Sequence, residues 1–582
     1  MNAVYADGHS ANTTRATLIA AAVVAVLALI VRICFVQTFK TNDDVGMSMI
    51  CSGHGYTSAP DEHLLYTNIV VGQMLAALYT FNRHCPWYGS YLFIVNLVGM
   101  IAVISQLIAR FKRTGAIIAV SIFIICVCFN NLILLQFTTA AFMVGLGGYA
   151  LILGWLEDGL EVSWPALVRP LLGIVLLIIC SLVRYEIFVL VTILSMFVYA
   201  VRFLQPWSKL KTNWRTLLMI FCSIAITGGV AVAFQQYNSW VYRQSSGWEN
   251  FYQANRLMGG FSDYGDGRAA SELRKREAQI AAGWTSNDLK ILQNVFILNS
   301  ELFSIEKMQT AVKVLKNSNY SSVVEVWNDF SPVFSNAMVV PIIVASLTLM
   351  LTCTTLGVKK WRLFVLALLI LGLMLALLLT LKLPEHVFFP IFSFFLFVIL
   401  FYCDLNSTSR FLSTPVKKIL TAIVCLTVGA FLVYSSYNNY IVRGQRVSER
   451  NSLLKAAIHD LKPSSTDLYL VWRDFFPYEV ILPFDDLSEF FSEMKILPLA
   501  YRADYSIAAK RMKEFDLTLE NFGRKVIEKN VYLVSGDELN PFMKIYLKEH
   551  YALDAELKLY REYLPLRLRL YQIEAVGSKK SQ

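Results

Sequence analysis

The chain has 582 residues, of which 56% are hydrophobic and only 16% charged. A soluble domain carries about a quarter charged residues, so the composition excludes an ordinary soluble enzyme. The net charge of +10 is not a nucleic-acid signature, because the basic residues gather in short loops between apolar runs. Those runs approach the ~20 residues that a bilayer requires. The expected class is a polytopic α-helical membrane protein.

The first run is Thr17–Phe39, flanked by Arg15 and Lys40. It is too long for a signal peptide, and no small-x-small cleavage pattern follows Val31, so it reads as a retained first helix. Arg32 lies inside it, where charge is costly. Its side chain either snorkels to the outer surface or faces a site there. Glu62–Asn82 is apolar enough to cross as well. A crossing there would invert the later loops, so the segment is expected along the outer surface, with Tyr66, Gln73 and Thr80 as a polar stripe.

Further spans are expected at Tyr88–Arg110, Gly115–Leu134, Gln136–Trp155, Pro170–Val183, Ile187–Phe203, Leu217–Phe234, Asn336–Leu356, Leu363–Leu381, Val387–Cys403 and Ile419–Tyr434. With the first run this makes about 11 transmembrane helices. Pro170–Val183 is short, and it and its neighbour read as a tilted or broken pair around Arg184-Tyr185-Glu186. Basic loops fall at Arg110/Lys112/Arg113, Lys209/Lys211/Arg215, Lys359/Lys360/Arg362 and Arg410/Lys417/Lys418. Eleven spans with a cytoplasmic N-terminus put all four inside, as the positive-inside rule requires. The expected location is the cell membrane.

This organisation gives a transmembrane module over 1–434, with a first outer loop at 40–87 and an outer insert at 235–335. A C-terminal extracytoplasmic domain covers 435–582. The insert reads as helical. The tail reads as a small α/β domain, with strands at Thr466–Trp472, Asn530–Ser535 and Leu566–Val576 and a helix at Val447–Leu461. Of ten cysteines, only Cys51 and Cys85 fall in an outward loop, where they either form a disulfide or stay as thiols. No Cys/His metal spacing occurs, so structural zinc is not expected.

Chemistry is sought in polar residues of the outer loops. Thr41-Asn42-Asp43-Asp44 follows the first span directly. Two carboxylates there suit a general base or hard-oxygen ligands for a divalent cation. They equally suit a solvated loop. His54, Asp61, Glu62 and His63 follow, and read as solvated surface and a helix start. Arg184 and Glu186 sit at one outer turn. Lys382, Glu385 and His386 sit at another. Arginine's fork suits phosphate, while an Arg–Glu pair also suits a tight turn. Arg256 and Trp284 of the insert are weaker candidates. In Trp284-Thr285-Ser286-Asn287-Asp288, Ser286 or Asn287 reads as a helix cap.

The acidic pair after the first helix, with Ser52-Gly53, Gly55, Asn68, Gly72, Leu78-Tyr79 and Trp87-Tyr88-Gly89, resembles the GT-C superfamily of membrane glycosyltransferases. The fold class implied is GT-C-like. The activity implied is transfer of a sugar from a polyprenyl-phosphate-linked donor to a cell-surface glycan, lipid or protein acceptor on the outer face. The resemblance implies Asp43 as base on the acceptor hydroxyl, with Asp44 as support or, where Mn²⁺ or Mg²⁺ is used, as metal ligand beside it. Arg184, Glu186, Lys382, His386, His54 and Arg256 are the expected substrate-binding set. A second outer acidic residue has Asp263, Asp266 and Asp288 as candidates. Expected partners are the lipid-linked donor, the acceptor and membrane lipids, with no nucleic acid. A transporter, a flippase or a polysaccharide polymerase also spans many times. The first two favour repeats and mid-membrane breaks, and the polymerase needs no acidic pair after its first helix.

Overall fold

A computed structural model describes residues 2–158, 164–203, 214–263, 272–316, 338–353, 359–380, 384–405 and 437–576, with a few single positions between. Helix α1 (Asn2–Cys34) leads into a two-residue strand β1 (Thr38–Phe39) and then α2 (Asn42–Ser52), α3 (Ile69–Phe81) and α4 (Trp87–Arg110). Helix α5 (Arg113–Phe123) runs through a π-helical turn into α6 (Phe129–Ile133). A second short strand β2 (Leu134–Leu135) pairs with β1 in parallel. Then come α7 (Phe137–Glu157), α8 (Trp164–Val183), α9 (Tyr185–Phe203) and α10 (Trp214–Gln244).

Among the described residues, eight helices are long and apolar enough to cross a membrane, and Ile69–Phe81, Leu167–Val183 and Val340–Leu351 are shorter apolar helices. Six expected spans match long helices closely, and a seventh, expected at Leu217–Phe234, continues to Gln244, ten residues into the expected insert. The first ends at Cys34, earlier than expected, because Thr38–Phe39 is drawn into the β1–β2 ladder. Ile419–Tyr434 lies outside the described residues. Helix α3, at 13 residues, is ~20 Å long at 1.5 Å per residue, short of the ~30 Å hydrocarbon core. It starts at Ile69, not Glu62, because the Asn68 side chain accepts the Val70 N–H as an N-cap.

Helix α7 is the hub of the module, buried along nearly its whole length. Small residues let its neighbours close in, as in membrane helix pairs generally. A Cβ on Gly99 of α4 would stand 2.4 Å from the Met143 carbonyl, and one on Gly148 would stand 2.6 Å from the Gly173 carbonyl of α8. The helix ends sort onto two faces. On one, Arg169 pairs with Asp158 at 2.6 Å, Arg202 pairs with Glu157, and the Tyr402 hydroxyl donates to Glu157 at 2.9 Å. Arg110 lies over Phe401 there, and Arg362 donates to the Arg202 carbonyl at 3.1 Å. The other face carries the starts of α4, α7 and α9 and the end of α8.

The insert supplies α11 (Trp248–Met258), α12 (Glu272–Ala282), α13 (Ser286–Gln293) and α14 (Ile305–Lys316), before α15 (Val340–Thr352), α16 (Lys360–Thr380) and α17 (Glu385–Tyr402) return to the module. The tail opens with α18 (Arg443–Leu461). Its sheet contains β3 (Leu468–Val471), β4 (Lys495–Pro498), β5 (Val531–Val534), β6 (Ala555–Tyr563) and β7 (Leu568–Ala575) in the order β4-β3-β5-β7-β6. Strands β3, β4 and β5 are parallel, and β6–β7 is an antiparallel hairpin. Helix α19 (Asn540–Tyr551) covers the passage from β5 to β6. The three expected strands are present, and β4 and β6 join them.

Insert, tail and first loop are fastened to one another. The Trp472 indole donates to the Asn294 carbonyl at 2.9 Å, and the Ile496 N–H donates to Gly55 at 3.3 Å. Arg32 lies 4.4 Å over the Phe484 ring. The cation inside the first span therefore anchors the tail at the helix end. Cys51 and Cys85 are unbridged, and the buried Cys51 thiol faces the Ser48 carbonyl at 3.5 Å.

Candidate active site

The two adjacent aspartates occupy opposite environments. Helix α2 starts after Thr41, whose hydroxyl donates to Asp44 Oδ2 at 2.8 Å. The Tyr88 hydroxyl donates to Asp44 Oδ1 at 2.9 Å, and the Phe137 N–H donates to the same oxygen at 3.1 Å. Phe137 opens α7, so Asp44 caps that helix from another segment, where the positive end of the helix dipole favours a carboxylate. Asp44 is 0% exposed. Burial pushes its pKa from 3.8 up to about 7, against the lowering effect of its three donors.

Asp43 is solvent-exposed. Its charge acts on Asp44 and on the phenols of Tyr56 and Tyr501. The expectation of a two-carboxylate cation site does not fit this arrangement. Both Asp44 oxygens accept hydrogen bonds from the protein and are sealed from solvent, and Asp43 is the accessible carboxylate of the pair.

Two cations sit at neighbouring helix ends. Lys40 ends the β1 segment and meets Glu385 at 2.7 Å, with its ammonium 5.7 Å over the Phe389 ring. Arg184 is the single residue between α8 and α9. It pairs with Glu186 at 3.0 Å and lies 5.3 Å over Tyr66 and 5.0 Å over Phe137. Those two rings stack at 5.8 Å with 11° between planes. The charges of Arg184 and Lys40 both reach His386 at the start of α17. The structure therefore gathers Asp43, Lys40, Arg184, Glu186 and His386 at one set of helix ends.

Beside Arg184 a cavity of 260 Å³ is walled by Tyr66, Glu186, Asn238, Arg243, Trp248 and Tyr252, among others. Arg256 is exposed on α11, and its neighbour Asn255 reaches the Tyr66 hydroxyl at 3.4 Å. His54 is not with this group. It follows the far end of α2, eleven residues long, or ~16 Å from Asp43 at 1.5 Å per residue. Burial, with Arg83 nearby, lowers its pKa to about 4. Asp61 and His63, expected as solvated surface, form a 2.7 Å pair and are largely covered. Asp288 also lies elsewhere, in a capping box with Thr285 as N-cap rather than Ser286 or Asn287. Lys382, Asp266 and the Asp263 side chain fall outside the described residues.

Sequence reasoning gave no site role to Lys40, Tyr66, Tyr88 or Arg243, although Tyr66 stood in the polar stripe and Tyr88 among the residues of the resemblance. Lys40 read as the flank of a span. Its one available signal was its position, three residues before the acidic pair.

No known family matches the sequence, and no curated protein matches it. Two solved structures are similar. ArnT from Cupriavidus metallidurans bound to undecaprenyl phosphate shares 11% identity at a TM-score of 0.39, over 97% of this chain and 99% of that one. Its apo form gives the same identity and score over 96% and 97%. A likeness this distant carries no residue roles, and the functional reading rests on the site.

Proposed function

We propose that the protein is a GT-C-type membrane glycosyltransferase, moving a sugar from a polyprenyl-phosphate-linked donor to a surface glycan, lipid or protein acceptor on the outer face. One observation carries the reading. A solvent-facing carboxylate, Asp43, is held at the head of α2 by its buried neighbour, beside cations at the ends of helices that bracket a membrane. Sugar transfer from a lipid phosphate needs that pairing.

In this reading Asp43 accepts the proton of the acceptor hydroxyl as that oxygen attacks the anomeric carbon. The bond from that carbon to the phosphate oxygen breaks, and the lipid phosphate leaves as an anion. An anionic leaving group needs fixed positive charge more than it needs an acid. Lys40 and Arg184 supply it, while Glu385 and Glu186 hold the two cations in place. Asp44 has a positioning role through Thr41, Tyr88 and α7. The four basic loops favour placing the Asp43 face outside the cell.

The test combines donor binding and transfer. Native mass spectrometry of the purified protein with undecaprenyl phosphate should show a bound lipid. Mass spectrometry of surface glycans should show a product made by the parent and absent with Asp43→Asn. A parent that binds no polyprenyl phosphate and changes no glycan refutes the reading.

A further inference from the structure

The sequence, read by Cys/His spacing, gives no reason to expect a structural metal. The fold brings three donors together from segments more than 250 residues apart. We propose that Asp288, Glu549 and His550 bind one divalent cation of the zinc class, clamping the insert helix α13 to the tail helix α19.

The donors converge. One ligand atom from each of Asp288, Glu549 and His550 lies within 4.8 Å of the other two. His550 Nε2 is 2.8 Å from Asp288 Oδ1. Donors bound at ~2.1 Å in tetrahedral geometry stand roughly 3.4 Å apart, so small rotations of Glu549 and His550 bring three donors to bonding distance, with water taking the fourth position. Asp288 is fixed before any ion arrives. Its Oδ2 accepts the Thr285 N–H at 2.8 Å in the capping box, and the residue is 1% exposed. That leaves Oδ1 aimed at His550. Glu549 is oriented by the Thr285 hydroxyl, which donates to its Oε2 at 3.0 Å. Such outer hydrogen bonds commonly orient metal ligands.

The charges favour the same conclusion. Asp288 and Glu549 bring two carboxylates to a single imidazole, and like charges so close repel. A divalent cation offsets that repulsion, and the N/O set without thiolate suits zinc or manganese. Glu549 is exposed and His550 half-covered, so an ion has an entry path to the buried Asp288. The trio stands apart from the Asp43 face, so the ion has a structural role there. The inference does not depend on the glycosyltransferase reading.

The experiment uses the full chain in detergent, stripped with EDTA and titrated with ZnCl₂ by calorimetry. A parallel Co²⁺ titration is followed by visible absorption. One equivalent should bind, EDTA should release it, and the thermal midpoint should rise on binding. Glu549→Gln and His550→Gln leave the capping box intact, and each should weaken binding at least about tenfold, since even outer-shell partners typically cost 10–100-fold. If His550→Gln does not fold, Glu549→Gln decides, because that side chain is exposed. A parent that takes up no stoichiometric Zn²⁺, or variants that bind it as tightly as the parent, would overturn the site.

Discussion

The Phe137 N–H donates to the Asp44 carboxylate at 3.1 Å across 93 residues of sequence. This bond joins helix α2, which follows the first apolar helix, to the first turn of α7. It also separates the roles of two neighbouring aspartates. Asp44 builds the loop, and Asp43 is left facing solvent.

The raised pKa of Asp44 makes its contribution to stability depend on pH. The folded protein holds the Asp44 proton up to about pH 7, whereas the unfolded chain releases it near 3.8. The folded state therefore binds more protons between these values, and stability falls as pH rises through that window. Asp44→Asn keeps the shape and carries no charge. Its thermal midpoint should lose this part of the pH dependence and equal or exceed that of the parent at pH 8. A tenfold difference in proton affinity between the two states is worth about 1.4 kcal/mol. Asp44→Ala should melt lower at every pH, since Tyr88 and the α7 N-terminus lose their acceptor. An Asp44→Asn melting profile that parallels the parent from pH 4 to 8 counts against the assignment.

Lys40 and Arg184 are expected to bind the lipid phosphate. Lys40→Gln and Arg184→Gln should each weaken undecaprenyl phosphate binding about tenfold, and added salt should narrow the gap. The quantity to measure is lipid occupancy by native mass spectrometry at several lipid concentrations. Parent-like occupancy in both variants would reduce the two cations to anchors of their glutamates.

Gly89 reports on the seam between the module and the tail. A Cβ there would stand 2.0 Å from the Pro483 carbonyl oxygen. Backbone cannot step aside as a flexible side chain does, so Gly89→Ala should force the surfaces apart. The expected cost is about 1–3 kcal/mol, as for other overpacked sites, with faster proteolysis of the tail. Unchanged melting and proteolysis would mean the seam opens without cost.

Orientation has its own test. Cysteines placed at Ser464 in the tail and Arg276 in the insert, in a background without reactive thiols, should both react with an impermeant reagent in intact cells. Lys359→Cys, in a basic loop, should not. Labelling only one of the first two would break the parity on which the outer-face assignment stands.

Much of the fold was legible because membrane spans are written in composition. Trp87–Arg110 and Phe137–Glu157 fall within two residues of their expected bounds. The strands at 468–471 and 531–534 were equally plain, as apolar runs bounded by polar ones. The strand at 555–563 was hidden by its charges, Glu556, Lys558, Arg561 and Glu562, because as an edge strand it keeps them in water. The site was legible only in outline. Nothing in Asp43-Asp44 says which carboxylate is buried, because that depends on Tyr88 and Phe137. Lys40 acquires its setting from Glu385, 345 residues away. His54 was drawn into the expected set by proximity in sequence, and the length of α2 carries it away.

Everything proposed for the reaction turns on Asp43 as the base that activates the acceptor. Its role is measured by comparing sugar transfer to surface glycans by the parent and by Asp43→Asn at matched membrane abundance, with undecaprenyl phosphate binding checked in both. Loss of a positioned base typically costs ~10²–10⁴-fold. Asp43→Asn should lose transfer by that factor while keeping lipid binding and melting temperature. Transfer at the parent rate by Asp43→Asn would show that the base lies elsewhere.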